Sequence, residues 1–171
     1  RAYARNKAGT GYGDQKEFST PPLTFGSAED TEGNVYGTVT LGNQTWMTEN
    51  LRTTTYNDNT PIPLVRSNGT WNRLSSAAYC WYDNDSLVNK PDYGALYNWY
   101  SVSTGKLCPT GWHVATDNDW TELTSFLGGE YVAGDKLKEA GDDHWMNNSN
   151  ASDNLSGFTA LPGGGRVNGN F

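Results

Sequence analysis

The sequence predicts a mixed α+β fold, with short helices beside small twisted antiparallel sheets. Three observations carry this expectation. Short apolar runs, several bearing Trp or Tyr, are bounded by Gly, Asn and Asp clusters, the pattern of strands joined by tight turns. A helix-start signal, Thr116-Asp117-Asn118-Asp119, precedes an apolar-periodic stretch. After Tyr93 the spacing of apolar residues changes from alternation towards a helical period.

The elements follow in order. Alternation around Ala2-Tyr3-Ala4, a Gly-rich stretch, and then Lys16-Glu17-Phe18-Ser19-Thr20 predict a hairpin with its loop at Asn6–Gly13. A lone hairpin is marginal in water, so it needs a neighbour. Pro21-Pro22 is stiff and extended and marks a boundary, which divides the chain into residues 1–22 and 23–171. Asp30-Thr31-Glu32-Gly33-Asn34 reads as a turn entering the strand Val35–Leu41. Gly42-Asn43 then reverses the chain into Gln44-Thr45-Trp46-Met47. Residues 53–75 read as a long surface loop with one short strand, and Ala77–Tyr82 as an apolar strand ended by Asp83-Asn84-Asp85.

Leu96, Tyr97, Trp99 and Tyr100 suit a short helix with one wide apolar face, stopped at Gly105. Thr116 is placed to cap the next helix, with Asp119 completing a capping box. Trp120, Leu123, Phe126 and Leu127 would form its buried stripe, and Gly128-Gly129 its end. A shorter helical stretch runs from Val132 to Ala140, and Gly157–Pro162 reads as a strand. Trp46, Trp99, Trp112 and Trp120 are expected to share one core.

Composition narrows the function. Apolar residues are 35% of the 171 and charged residues 18%, but there are 7 Trp, 10 Tyr and 5 Phe. Large aromatic side chains build a core with few aliphatic ones. That aromatic content argues against disorder. Net charge is −7 and the 12 Lys and Arg are scattered, so nucleic acid is not an expected partner. No apolar run approaches a membrane span. Cys80 and Cys108 read either as two buried thiols or as disulfide formers. No His or Cys spacing marks a zinc site.

Several segments together resemble one family. They are Asn34-Val35-Tyr36, Gln44–Arg52, Ala78–Tyr82, Tyr93–Tyr100, Leu107-Cys108-Pro109-Thr110-Gly111-Trp112-His113-Val114 and Gly157–Gly164. In this order, over about residues 27–171, they are similar to the Fibrobacter succinogenes major paralogous domain of secreted and surface proteins from Bacteroidetes-like bacteria. The resemblance implies a C-type lectin-like fold, in the version seen in formylglycine-generating enzymes, with two helices. It also implies that the domain is incomplete at its C-terminus and that Cys108 pairs with a cysteine of the missing strand. Ala115 stands where many relatives have Pro. Residues 1–22 resemble the last two strands of a fibronectin type III domain.

These readings imply an extracellular or cell-surface module for binding or adhesion, taking a polysaccharide or a surface protein. Trp71, Trp81, Asp83, Asp85 and Trp145 lie in or beside loops and are the candidate ligand contacts, since Trp faces stack on sugars and carboxylates meet hydroxyls. The Asp83-Asn84-Asp85 oxygens suit either a calcium ion or a solvated turn. The alternative role is a structural subunit, with a partner chain or a second copy adding a strand at an open sheet edge. The Ser-His-Asp, phosphate-loop and His-Glu-x-x-His patterns do not occur, so no enzyme is expected, and an enzyme like the formylglycine-generating ones is the lesser alternative that the resemblance implies. Asp142-Asp143-His144 reads as a polar loop.

Overall fold

The computed structural model describes residues 3–12, 22–145 and 152–171. It is a mixed α+β chain with three small antiparallel sheets. β1 (Tyr3–Asn6) and β2 (Gly9–Tyr12) form the first, in register from Tyr3↔Tyr12 to Asn6↔Gly9. The hairpin is tighter than the sequence suggests, because β2 lies inside the expected loop. Gly9 takes φ 139°, which lets the chain reverse within Lys7-Ala8. The expected second strand at Lys16–Thr20 falls outside the described residues.

β3 (Thr24–Glu29), β4 (Val35–Leu41) and β5 (Gln44–Met47) form the second sheet, with β4 in the centre. β3 gave no sequence signal, because Thr24-Phe25-Gly26-Ser27 is mostly small and polar and only Ala28 is buried. The turn before β4 is built as expected. Asp30 accepts hydrogen bonds from the Glu32 and Asn34 N–H groups, from Asn34 Nδ2, and from the buried Tyr36 hydroxyl at 2.7 Å. These bonds hold its carboxyl below the usual range against the opposing effect of burial, which is the largest single influence.

The loop after β5 contains the bridges Thr55↔Pro61 and Leu64↔Tyr79 and one helical turn, α1 (Asn68–Trp71), in place of a separate strand. The expected Ala77–Tyr82 strand shrinks to β6 (Tyr79–Cys80), followed by a 3-10 turn over Tyr82–Asn84. α2 (Ser86–Tyr93) was hidden in the sequence by Pro91 within it. Leu96 and Tyr97 form β7, paired with β6, instead of opening a helix. Asn98 caps the short α3 (Trp99–Val102), and Trp99 is 72% exposed rather than buried.

α4 (Asp117–Phe126) begins where expected. Thr116 Oγ1 accepts from the Asp119 N–H, and Asp119 Oδ2 accepts from the Thr116 N–H at 2.8 Å, a complete capping box. Its stripe is narrower than predicted: Leu123 and Leu127 are buried, but Trp120 and Phe126 are exposed. Gly128 and Gly129, both at φ 104°, turn the chain into α5 (Glu130–Leu137). Gly157–Pro162 forms only a bridge, Lys138↔Ala160.

Two cores replace the single expected one. Val39, Leu41, Leu123, Leu127, Ala133 and Leu137 join β4 to α4 and α5. Tyr56, Ile62, Tyr79, Trp81 and Leu107 form the second, largely under loops. No helix among the described residues is long and apolar enough to cross a membrane.

Candidate functional site

Between the two cores lies a groove of about 810 Å³. One wall is β5 with its exit to Leu51, and the facing wall is Tyr93–Tyr97. The segment 111–115, the start of α4 and residues 158–164 complete it.

Strand pairing places its aromatic rings. Val39 and Leu41 point into the aliphatic core, and their cross-strand partners Trp46 and Gln44 share that face. Trp46 therefore extends from the core to the groove. Its ring lies 4.8 Å from Trp120 and 5.7 Å from Phe158, and the Trp120–Phe158 centroids are 6.1 Å apart. Gln44 locks the cluster: its Oε1 accepts from Trp46 Nε1 at 3.2 Å, and its Nε2 donates to Asp119 O at 3.2 Å. Gln44 thus ties β5 to the first turn of α4.

Polar groups stand at the rim. His113 Nε2 is 3.1 Å from Asp119 Oδ2. The Thr116 hydroxyl and N–H, then His113, hold the Asp119 carboxyl down to about 2. The Gly37 N–H, and then Arg52, hold Glu49 below its usual range. Cys108 lines the groove as a half-buried free thiol, and burial pushes it up to about 11. Cys80 is a second free, buried thiol whose pKa is also raised by burial. The far wall is braced from behind. Trp145 Nε1 donates to Ala160 O at 2.9 Å, His144 Nδ1 is 2.7 Å from Glu139 Oε2, and the His144 ring meets Tyr93 edge-on.

None of the five sequence-predicted contacts lines this groove. Trp81 is 4% exposed and packs edge-on to Tyr79 in the aromatic core, so its face is not available to a ligand. Trp71 is half-buried beneath the Arg166 guanidinium, 4.8 Å from its ring centroid. Asp85 caps α2 by accepting from the Leu87 and Val88 N–H groups. Asp83 is exposed in the turn at φ 51°. Trp145 is half-buried against Lys138 and Ala160. Among the described residues no three His, Cys, Asp or Glu side chains converge as metal ligands.

Sequence reasoning assigned Trp46, Trp112 and Trp120 to the core, and missed that they border open space. One signal was present. Gln44 occupies the same strand face as Trp46, and a Gln there indicates a face that is only partly buried.

A family model described as the Fibrobacter succinogenes major domain matches residues 39–171. No curated protein and no solved structure matches the chain.

Proposed function

The chain belongs to the Fibrobacter succinogenes major domain family, and from that premise we propose that it is a non-catalytic binding or adhesion module. Its setting is a secreted or cell-surface bacterial protein, its scaffold is of C-type lectin-like type, and its ligand is a glycan or a surface protein. The observation that carries this reading is the groove itself. Trp46, Trp112, Trp120 and Phe158 keep part of their rings open around a volume suited to a ligand, with amide and carboxylate groups at the rim. Such rings offer large, rigid contact area at low entropic cost.

Two features favour binding over catalysis. A nucleophilic cysteine needs a lowered pKa, and burial raises both thiols here. The Asp119 carboxylate that His113 contacts is engaged in capping a helix.

The test offers the chain to an oligosaccharide array and to a phage-displayed random heptapeptide library. Specific binding by at least one class, weakened tenfold or more by Trp112→Ala in a variant of unchanged circular dichroism, is the expected result. Absence of binding in both formats, or binding indifferent to Trp112→Ala and Trp46→Phe, would overturn the reading.

A further inference from the structure

We propose that His144 is a proton-operated latch: its imidazolium ties the segment that follows α5 to the end of α2, and the segment loosens when the proton leaves. The latch belongs to the scaffold and is independent of what the groove binds.

The geometry begins at Gly141. At φ 91° it turns the chain after α5, and Glu139 and His144, five residues apart, face each other across the bend. His144 Nδ1 lies 2.7 Å from Glu139 Oε2, and the two side chains are only 28% and 21% exposed. The imidazole also meets α2. The Tyr93 ring centroid is 5.8 Å away, with the two planes at 88°. One side chain therefore touches both the post-α5 segment and the last residue of α2.

The ionisable groups around this ring favour its charged form. Glu139 faces it from beyond α5, Asp92 from α2, and Asp143 from its own loop. The Glu139 hydrogen bond is the largest influence. Partial burial opposes it without cancelling it, so the imidazole pKa is raised. Tyr93 presents a ring, and residues 146–151 carry no ionisable side chain.

The parts that the latch joins continue into two walls of the groove. Ala160 O accepts from the Glu139 N–H at 3.1 Å and from Trp145 Nε1 at 2.9 Å, so residues on both sides of the bend hold the same carbonyl. Tyr93 leads through Gly94 to Ala95, whose N–H donates to Leu51 O at 2.9 Å. Protonated His144 thus bridges the segment around Ala160 to the Tyr93–Tyr97 wall. A hydrogen bond between charged partners is about twice as strong as a neutral one. Deprotonation keeps the geometry but removes that gain. Because the folded value is raised, the contribution is complete below the unfolded value of 6.5 and is lost as pH rises through the folded one.

The experiment is an NMR pH titration of the whole chain from about pH 5 to pH 9. The His144 imidazole should titrate above the imidazole of N-acetylhistidine amide. As it loses its proton, hydrogen exchange at the Glu139 N–H and the Trp145 indole N–H should quicken by at least about threefold. The Leu127 N–H, bonded within α4, serves as the internal reference for the intrinsic pH dependence of exchange. Glu139→Gln keeps an acceptor and removes the charge, so it should lower the His144 titration and erase the exchange step. His144→Gln should give fast exchange at every pH. A His144 titration at or below the free value, exchange that keeps a constant ratio to Leu127, or a step that persists in Glu139→Gln would each overturn the proposal. If Glu139→Gln does not fold, the titration and exchange of the unmodified chain still decide.

Discussion

The two cores are built on different principles. In the aliphatic core Val39 and Leu41 come from a strand, and Leu123, Ala133 and Leu137 from helices. Regular backbone satisfies its own hydrogen bonds there, and side chains need only pack. The aromatic core has only Tyr79 in a strand, and Tyr56, Ile62, Trp81 and Leu107 come from irregular chain. Its backbone groups are paired over long sequence distances instead. The Tyr97 hydroxyl donates to Thr53 O at 2.7 Å, and the Ser101 hydroxyl, fully buried, donates to Ala78 O and accepts from the Ala78 N–H. Arg166 donates to Val65 O and Arg66 O while lying over Trp71 and Phe171. Loops can therefore cover a core when side chains complete their hydrogen bonds, and the groove lies where the two kinds of packing meet.

The same truncation made in both cores sharpens the contrast most. Leu123→Ala in the aliphatic core is expected to cost about 4 kcal/mol, because two helices and a sheet resist collapse into the cavity. Leu107→Ala in the aromatic core is expected to cost about 2 kcal/mol, because its loops can relax around the gap. Urea denaturation of the two variants measures both, and the reverse ranking would break the comparison.

A smaller effect of opposite sign is expected at Tyr56. This residue is 7% exposed, and its buried hydroxyl has no hydrogen-bond partner among the described residues. Tyr56→Phe removes that unpaired group and should stabilise the chain by up to about 1 kcal/mol. A loss of stability on thermal melting would mean that the aromatic core does use the hydroxyl.

The smallest effect is a pH dependence at the start of α4. Asp119 has a carboxyl pKa lowered from 3.8 to about 2, with the Thr116 hydrogen bonds first among the causes. A depressed folded value means the unfolded chain takes up the proton first. The contribution is therefore present above about pH 4 and is lost as pH falls from there towards 2. Asp119→Asn should flatten this acid limb in circular dichroism titrations, and an unchanged limb would locate the acid sensitivity elsewhere.

Much of the aliphatic side was legible because its signals are local. Thr116 and Asp119 are three residues apart, Gly42-Asn43 is one turn, and Asp30 satisfies a loop four residues long. The family segments also gave the membership. Elsewhere the sequence misled. Pro91 concealed α2, and Leu96 and Tyr97 read as helix until β6 paired with them.

The sequence by itself determined the α+β class, the position of the capped helix, the β4–β5 hairpin and the family. Each depends on contacts within a few residues, where backbone geometry and capping decide the outcome. Only the tertiary structure decided which tryptophans are buried and where the groove lies. Trp81 and Trp120 carry the same side chain, and their burial depends on segments far away in sequence. The groove forms where Ala95 meets Leu51, far away in sequence, and such long-range pairing leaves no pattern within either segment alone.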